Sequence, residues 1–307
     1  MSESTYILEG GVWKLVADGY IYESGAWKKI SGMYYWNGSA WVSSFSTGFT
    51  LAKTFSTGTT TNYDIAAEAA LAGWDGVAII NATLVIPSGA YIGSTSTGTY
   101  SLETTGIPTG STVNLTIDAG GFLVGRGGTG GVGAGQTVTA ASTGAVGGPA
   151  LNVITAIDFN LTNNGTIGGG GGGGGGGNGG DDWVVDAGFQ GGPGGGGAGF
   201  GTGGTYTNNS NASHMWSDPG GTGTHNSGGA GVGSAVKPGD ANNGSYGGTG
   251  GLGGNLGSNG NSGLNNGSGY YTTYSSGSPG GAAGVAINGW STITVLTEGV
   301  IHGAKNN

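Results

Sequence analysis

The chain has 307 residues, of which 78 are glycine and none is cysteine, and only 7 % of the residues are charged. This composition excludes a disulfide-stapled scaffold and a thiolate metal site, and the aperiodic glycines with only 7 prolines exclude collagen. The formal net charge of -9 repels phosphate backbones, so nucleic acid is a poor candidate partner.

Abundant Gly, Ser and Asn resemble a flexible linker, which is the first alternative to a folded chain. Against it stand 8 Trp, 13 Tyr and 7 Phe, which a chain without a core has no reason to carry. The sequence contains no apolar run of about 18 residues and no basic-then-apolar leader, so we expect neither a membrane span nor a signal peptide.

Residues 1–44 contain three copies of a fourteen-residue repeat, with a Gly- or Asn-containing turn between the aromatic positions. Each copy predicts a short β-hairpin, because aromatic arms and a tip that tolerates positive φ are the sequence signature of that motif. A small structural module is the alternative; we favour an attachment module. The aromatic positions in register are Tyr6, Tyr20 and Tyr34, and Trp13, Trp27 and Trp41.

Residues 45–167 predict a compact β-rich supporting domain. Residues 63–71 suit one short helix, with Asp64 near its start and Gly73 placed as its C-cap. Further strands are predicted at 77–87 and 113–118, and as a pair at 151–159 and 161–167.

Residues 168–284 begin with ten consecutive glycines, at 168–177, and alternate glycine clusters with longer polar and aromatic spacers. Polyproline-II-like helices make no internal hydrogen bonds, so bare backbones packed side by side can satisfy one another. We therefore expect a polyglycine-II sandwich with protruding loops. Its apolar residues are expected to face outward or to seal its flank: Ala198, Phe200, Ala230, Val232, Leu252 and Leu256.

The tail, 285–307, contains few glycines and several apolar, β-branched runs, and it predicts closing strands. We expect a hairpin or strand pair that returns to the strands near 151–167.

No motif indicates catalysis, a metal centre or a cofactor. The pattern Gly125-x-Gly127-x-x-Gly130 matches a dinucleotide fingerprint, but no amphipathic helix follows it and a chain so rich in glycine produces it by accident. Residues 176–183 fit one calcium-binding nonapeptide without tandem copies, which leaves Asp181, Asp182 and Asp186 as a weak calcium candidate. We expect no enzymatic activity, no cofactor and no structural metal.

Four spacers, at 181–190, 206–219, 234–246 and 255–276, carry aromatic side chains among small polar residues, a composition typical of binding surfaces presented on a rigid scaffold. The alternative is that these rings only pack on the flank of the lattice. The candidate binding residues are Trp183, Val185, Phe189, Tyr206, His214, Met215, Trp216, Tyr246, Tyr270, Tyr271 and Tyr274.

The sequence resembles the receptor-recognising adhesins at the tips of long tail fibres in T-even-like bacteriophages, and related Gly-rich phage tail proteins. The resemblance covers roughly residues 60–303 and rests on five features: 125–128, 147–151, Asn163 to Ile167 leading into polyglycine, the glycine runs alternating with divergent loops, and the closing 279–303. It implies a polyglycine-II sandwich whose distal loops bind a bacterial outer-membrane protein or surface glycan. It also implies a virion component made in the host cytoplasm. The fourteen-residue repeat departs from this family and is similar to repeats in assorted phage virion proteins, so a direct tail or capsid component is also open. From the aromatic repeat itself we expect attachment to other tail or virion proteins through Trp13, Trp27 and Trp41.

Other functions remain open from the sequence. A structural capsid or tail decoration, an ice-binding slab and a polysaccharide depolymerase are the alternatives to a non-enzymatic virion adhesin. The oligomeric state is also open, between a monomeric cap and a trimer.

Overall fold

The computed structural model describes residues 6–9, 12–15, 19–30, 32–36, 41–46, 48–135, 140–154, 156–182, 191–205, 218–233, 247–265, 272–274 and 276–307. Within these residues the protein is mostly β-structure and irregular segments with one short α-helix, which confirms the predicted fold class at this level.

The N-terminal strands form antiparallel pairs. The backbone register sets Tyr22 opposite Trp27 and Trp36 opposite Trp41. Between the strands Gly19–Glu23 and Ala26–Ile30, Ser24 and Gly25 have φ of 53° and 83°, as a tight turn between twisted strands requires. The pairs are β1 (Tyr6–Glu9) with β2 (Val12–Leu15), β3 (Gly19–Glu23) with β4 (Ala26–Ile30), and β5 (Gly32–Trp36) with β6 (Trp41–Ser46).

The remaining strands run from residue 49 to residue 306. The first eight are β7 (Phe49–Thr54), β8 (Gly58–Thr61), β9 (Tyr63–Asp64), β10 (Ile80–Ile86), β11 (Ala90–Gly93), β12 (Leu102–Glu103), β13 (Thr112–Ile117) and β14 (Phe122–Val124). The others are β15 (Leu151–Asn152), β16 (Asp158–Asn163), β17 (Thr166–Gly168), β18 (Gly180–Asp182), β19 (Thr272–Tyr274), β20 (Ile287–Asn288), β21 (Ile293–Thr297), β22 (Val300–His302) and β23 (Lys305–Asn306).

All but two of these strands build a three-sided parallel solenoid. In the described chain each side is a five-stranded sheet: sheet 1 holds β7, β10, β13, β16 and β21, sheet 2 holds β8, β11, β14, β17 and β22, and sheet 3 holds β9, β12, β15, β20 and β23. The chain visits sheets 1, 2 and 3 in turn, and every pairing between successive coils is parallel.

The solenoid core consists of side chains stacked in register on the inner faces of the sheets. Leu84, Leu115 and Leu161 are successive partners in sheet 1, and all three are buried. Asparagines stack outside: the Asn160 amide donates to Asn114 Oδ1 at 3.0 Å. Parallel sheets with equal coils thus place like residues above one another.

One helix, α1 (Ile65–Leu71), follows β9 in the first coil, at the position that the sequence predicts. Asp64 Oδ1 accepts from the Ala66 and Ala67 amides at 2.8 and 3.1 Å, so it caps the helix N-terminus. Ile65 and Ala69, four residues apart, are buried. Gly73, with φ of 96°, ends the helix.

The glycine-rich sequence is inserted between strands of the solenoid: one part between β14 and β15, the other between β17 and β20. We call its described segments, 125–135, 140–150, 169–179, 191–205, 218–233, 247–265 and 276–286, the glycine lattice.

The central segment, 169–179, bonds to its neighbours with every third residue. The amides of residues 170, 173 and 176 donate to carbonyls in 142–148. Those of residues 171, 174 and 177 donate to 192–198, and those of residues 172, 175 and 178 donate to 258–264. Carbonyls of the same segment accept from 128–134, 248–257 and 278–284. The central backbone is therefore hydrogen-bonded by six surrounding stretches of chain, two of which belong to the segment 247–265.

The tail pairs with the strands near 151–167, as predicted, but the expected hairpin is wrong. β20, β21 and β22 lie parallel to β15, β16 and β17; β20 completes the fourth coil, and β21, β22 and β23 form the fifth. The pair predicted at 151–159 and 161–167 is likewise wrong, because β15, β16 and β17 belong to three different sheets. Both errors have one cause: a parallel partner is supplied by a distant part of the chain.

Candidate functional site

The glycine lattice has two ends, defined by the direction of its central segment. The central segment leaves the solenoid directly after β17. Its start, at Gly169, therefore marks the near end of the lattice, and its last residues, around Asn178, mark the far end. Hydrogen bonds place the turns of the neighbouring segments at the near end: Gly171 N–H donates to Ala198 and Gly172 N–H donates to Ser258, at 3.0 and 3.1 Å. Thr224 joins this end, because its carbonyl accepts from the Gly199 amide.

The described residues that flank the first three spacers, and those that flank the aromatic part of the fourth, lie at the far end; the fourth spacer itself begins at Asn255, at the near end. Gly191 donates to Ala134, Thr205 accepts from Gly133, and Gly248 donates to Asn178, at 3.0, 3.2 and 2.9 Å. Asn178 also donates to Leu264. The chain therefore enters and leaves the aromatic part of each spacer at the end of the lattice opposite to the solenoid.

Most of the predicted binding residues lie outside the described residues. These are Trp183, Val185, Phe189, Tyr206, His214, Met215, Trp216, Tyr246, Tyr270 and Tyr271, and Asp186 of the calcium candidate lies outside as well.

A two-stranded pair connects the flanks of the first and last spacers. β18 and β19 are antiparallel, with Gly180 opposite Tyr274 and Asp182 opposite Thr272. This pair contains Asp181 and Asp182 of the calcium candidate, but among the described residues no group of three His, Cys, Asp or Glu could hold a metal ion.

The repeat tryptophans occupy strands of the N-terminal pairs: Trp13 in β2, Trp27 in β4 and Trp41 in β6. Trp27 is 71 % exposed and contacts only one described ring, that of Tyr22, at 5.2 Å between centroids. An indole this exposed is available to a partner.

A second aromatic group, which the sequence did not predict as a site, lies where the near end of the lattice meets sheet 2. Phe200 packs edge-on against Tyr91, and His225 against Phe122, at centroid distances of 5.1 and 4.8 Å. Burial raises the pKa of Tyr91 well above its usual value, although the Arg126 charge opposes the shift, so the phenol stays neutral. The available signal was the alternation in 90–93 and 122–124, which sets Tyr91 and Phe122 on the outer face.

This junction also contains a small core of its own. Tyr91, Val124, Ala198 and Leu256 are buried together, so two of the apolar lattice residues seal its flank. Leu252, by contrast, is 51 % exposed.

No helix in the described part of the chain is long and apolar enough to cross a bilayer.

Comparison with known proteins identifies the family. The model of the phage tail fibre adhesin Gp38 family matches residues 50–306, which is most of the chain. The chain belongs to this family. It is accordingly a receptor-binding adhesin and a structural component of a phage tail fibre, which confirms the resemblance seen in the sequence.

A solved structure has a similar fold. The crystal structure of the gp37–gp38 adhesin tip complex of the bacteriophage S16 long tail fibre contains a chain that is 24 % identical, with a TM-score of 0.52. The match covers 85 % of this chain and 83 % of that chain. No curated protein sequence matches this adhesin.

Proposed function

We propose that the four aromatic spacers form the receptor-binding surface of the adhesin. The observation that carries this proposal is that the described flanks of three spacers, and of the aromatic part of the fourth, lie at the end of the lattice away from the solenoid. Loops gathered at one end of a rigid support can contact one partner together. The partner would be an outer-membrane protein or a surface glycan of the host bacterium.

The glycine lattice would act as a polyglycine-II sandwich that holds these spacers. The every-third-residue bonding of the central segment supports this interpretation, because a polyproline-II-type helix has three residues per turn. Burial of the whole glycine run supports it as well. The solenoid, together with the closing strands 285–307, would then support the lattice.

Substitution of spacer tryptophans tests the receptor-binding surface. We expect purified Trp183→Ala/Trp216→Ala protein to lose most of its binding to host cells, because rigid aromatic anchors commonly dominate binding energy. Trp27→Ala is the matched control, since it removes an exposed indole from the opposite part of the chain. Unchanged cell binding by a correctly folded double variant would contradict the proposal.

We further propose that residues 1–44 attach the adhesin to another tail protein. The S16 structure is a complex of gp37 with gp38, so a chain of similar fold is known in an assembly with a second fibre protein. The exposed Trp27 supports a docking role for the repeats. Phage that carry the Trp13→Ala/Trp27→Ala/Trp41→Ala adhesin should contain less of it per particle, as quantified by immunoblot, while its binding to cells as free protein is retained. Normal incorporation would assign attachment to another surface.

A further inference from the structure

The outer face of sheet 2 carries a row of side chains in register. Thr59 pairs with Tyr91, Tyr91 with Phe122, and Phe122 with Thr166. The residues that follow them, including Leu123 and Ile167, are fully buried in the solenoid core. Because side chains alternate between the faces of a strand, the row points away from the core.

Turns at the near end of the lattice close over this row but do not fill the space above it. Two hollows remain, of about 240 and 500 Å³, and Phe122 lines both. We call the larger one the junction cleft; it is lined by Phe122, Thr166, Asn226, Asn255, Ser258 and His302, with Leu256 beside them. Its volume lies in the range of about 300–1,000 Å³ that is usual for ligand sites.

The junction cleft is rich in uncharged hydrogen-bonding groups that the protein does not use. Asn255 Oδ1 accepts from the Gly228 amide at 3.1 Å, and Asn226 Oδ1 accepts from the Thr224 and Ser227 hydroxyls at 3.2 Å. Within the described residues, neither Nδ2 group has a hydrogen-bond acceptor. These two amides are therefore free to donate to a ligand.

The polar wall of the junction cleft is held rigidly. The Gly257 amide donates to the Gly169 carbonyl at 2.8 Å, and the Ser258 amide to the Asn255 carbonyl at 2.9 Å. A Cβ on Gly257 would overlap the backbone of His302 and Gly303, so this turn lies directly on the end of β22. A fixed backbone lowers the entropy cost of ligand binding, because only the side chains remain to be ordered.

We infer that the junction cleft binds a neutral saccharide unit. A sugar ring offers vicinal hydroxyls to paired side-chain amides and an apolar C–H face to an aromatic ring, and the cleft is lined by the partly exposed Phe122 together with Asn226 and Asn255. Among the described residues no Asp, Glu, Lys or Arg lines the cleft, and the net charge of the chain is -9, so a phosphorylated or sulfated ligand is disfavoured. The site lies at the opposite end of the lattice from the aromatic parts of the spacers; its residues Asn255, Leu256 and Ser258 are the first residues of the fourth spacer.

Saturation-transfer NMR with the full-length protein tests this inference, with the methyl glycosides of glucose, galactose, mannose and N-acetylglucosamine as probes. We expect at least one of them to bind in the millimolar range. Asn255→Asp keeps the acceptor for the Gly228 amide but removes the Nδ2 donor, so affinity should fall at least tenfold. Phe122→Leu keeps apolar bulk without the ring and should also weaken binding.

Asn259→Asp is the matched control, because Asn259 Oδ1 accepts from the Ala283 amide at 2.9 Å but the residue does not line the cleft. Its affinity should equal that of the unmodified protein. The inference is overturned if none of the four glycosides binds, or if Asn255→Asp binds as well as Asn259→Asp. Trp183→Ala/Trp216→Ala should leave glycoside binding unchanged, so failure of the spacer proposal and failure of this one are distinguishable.

Discussion

The solenoid and the glycine lattice both pair their backbone hydrogen-bonding groups with neighbouring stretches of chain, but they pack their interiors in opposite ways. In the solenoid, backbone hydrogen bonds join adjacent coils and buried side chains such as Leu84 and Phe159 fill the space between the sheets. In the lattice, glycines 169–177 are equally buried, but no side chain lies between them and their neighbours. The solenoid is therefore stabilised by packed side chains, whereas close packing of the lattice backbones requires that side chains be absent.

This difference determines how each region responds to mutation. Removing atoms from the solenoid leaves a cavity, whereas adding atoms to the lattice separates hydrogen-bonded backbones. Ordered glycine also loses more backbone entropy than any other residue, so the lattice depends on a complete set of lateral hydrogen bonds. Loss of a few of them should have a disproportionate effect.

The largest effect is expected for Gly173→Ala in the lattice centre. A Cβ at this position would overlap the backbone of Thr129, and neither backbone can move without breaking other hydrogen bonds. The free energy of unfolding should fall by at least about 4 kcal/mol, the range of exceptional substitutions. Urea unfolding combined with hydrogen exchange of the lattice amides measures it.

Gly233→Ala is the control for that substitution, because no described residue other than its chain neighbours has an atom within 4 Å of its Cβ position. It should change stability by less than about 0.5 kcal/mol. Equal effects at the two glycines would mean that lateral backbone contact does not hold the lattice together.

A large-to-small change in the solenoid should cost somewhat less. Leu115 is 1 % exposed and stands in the central strand of sheet 1 between Leu84 and Leu161. Leu115→Ala should lower the free energy of unfolding by about 2–5 kcal/mol through a cavity. Leu296→Ala, at a position 65 % exposed, should have little effect in the same urea titration.

The sequence alone predicted the helix ends and the glycine-rich assembly, because these features depend on residues that are close together in the chain. Asp64 and Gly73 predicted both ends of α1, and the run 168–177 predicted a bare-backbone assembly. The solenoid was missed. Strand starts at Phe49, Ile80 and Thr112 recur at nearly equal spacing, but the glycine insertions displace the later coils to Asp158 and Ile293 and hide the repeat.

The two candidate sites also differ in whether the sequence alone could reveal them. Aromatic spacers between glycine clusters were visible as composition, so the spacer surface could be proposed without coordinates. The junction cleft could not, because Phe122, Asn226 and His302 come from three distant parts of the chain. Only the register of sheet 2 and the position of the near-end turns bring them together.

Gly168→Ala tests the boundary between the two regions and should have an intermediate effect. Its Cβ would lie 3.0–3.3 Å from side-chain atoms of Leu256, which can shift, rather than from backbone. We expect a loss of about 1–3 kcal/mol from overpacking. In a Leu256→Ala background the same substitution should cost clearly less, since neighbouring sites couple. Additive effects in that double-mutant cycle would show that Gly168 is required for another reason.

The smallest effect, Tyr63→Phe, concerns a polar atom that the side-chain core of the solenoid leaves unpaired. Tyr63 is 3 % exposed, its ring packs edge-on against Phe55 at 4.8 Å, and its hydroxyl has no hydrogen-bond partner in the described structure. Removing an unsatisfied buried hydroxyl should leave stability at neutral pH unchanged or raise it by about 1 kcal/mol.

The pH dependence of Tyr63→Phe separates this explanation from a general change in packing. Burial, with a smaller contribution from the Glu68 charge, raises the pKa of Tyr63 to about 12, whereas an unfolded tyrosine titrates near 10. The fold thus favours the neutral phenol, so its contribution to stability is complete below about pH 10 and is lost as the pH rises toward 12. Tyr63→Phe should reduce the alkaline loss of stability in urea titrations without abolishing it, because the pKa of Tyr91 is raised as well. An unchanged alkaline slope would show that Tyr63 is hydrated, and the core around it would then be less closed than that of Leu115.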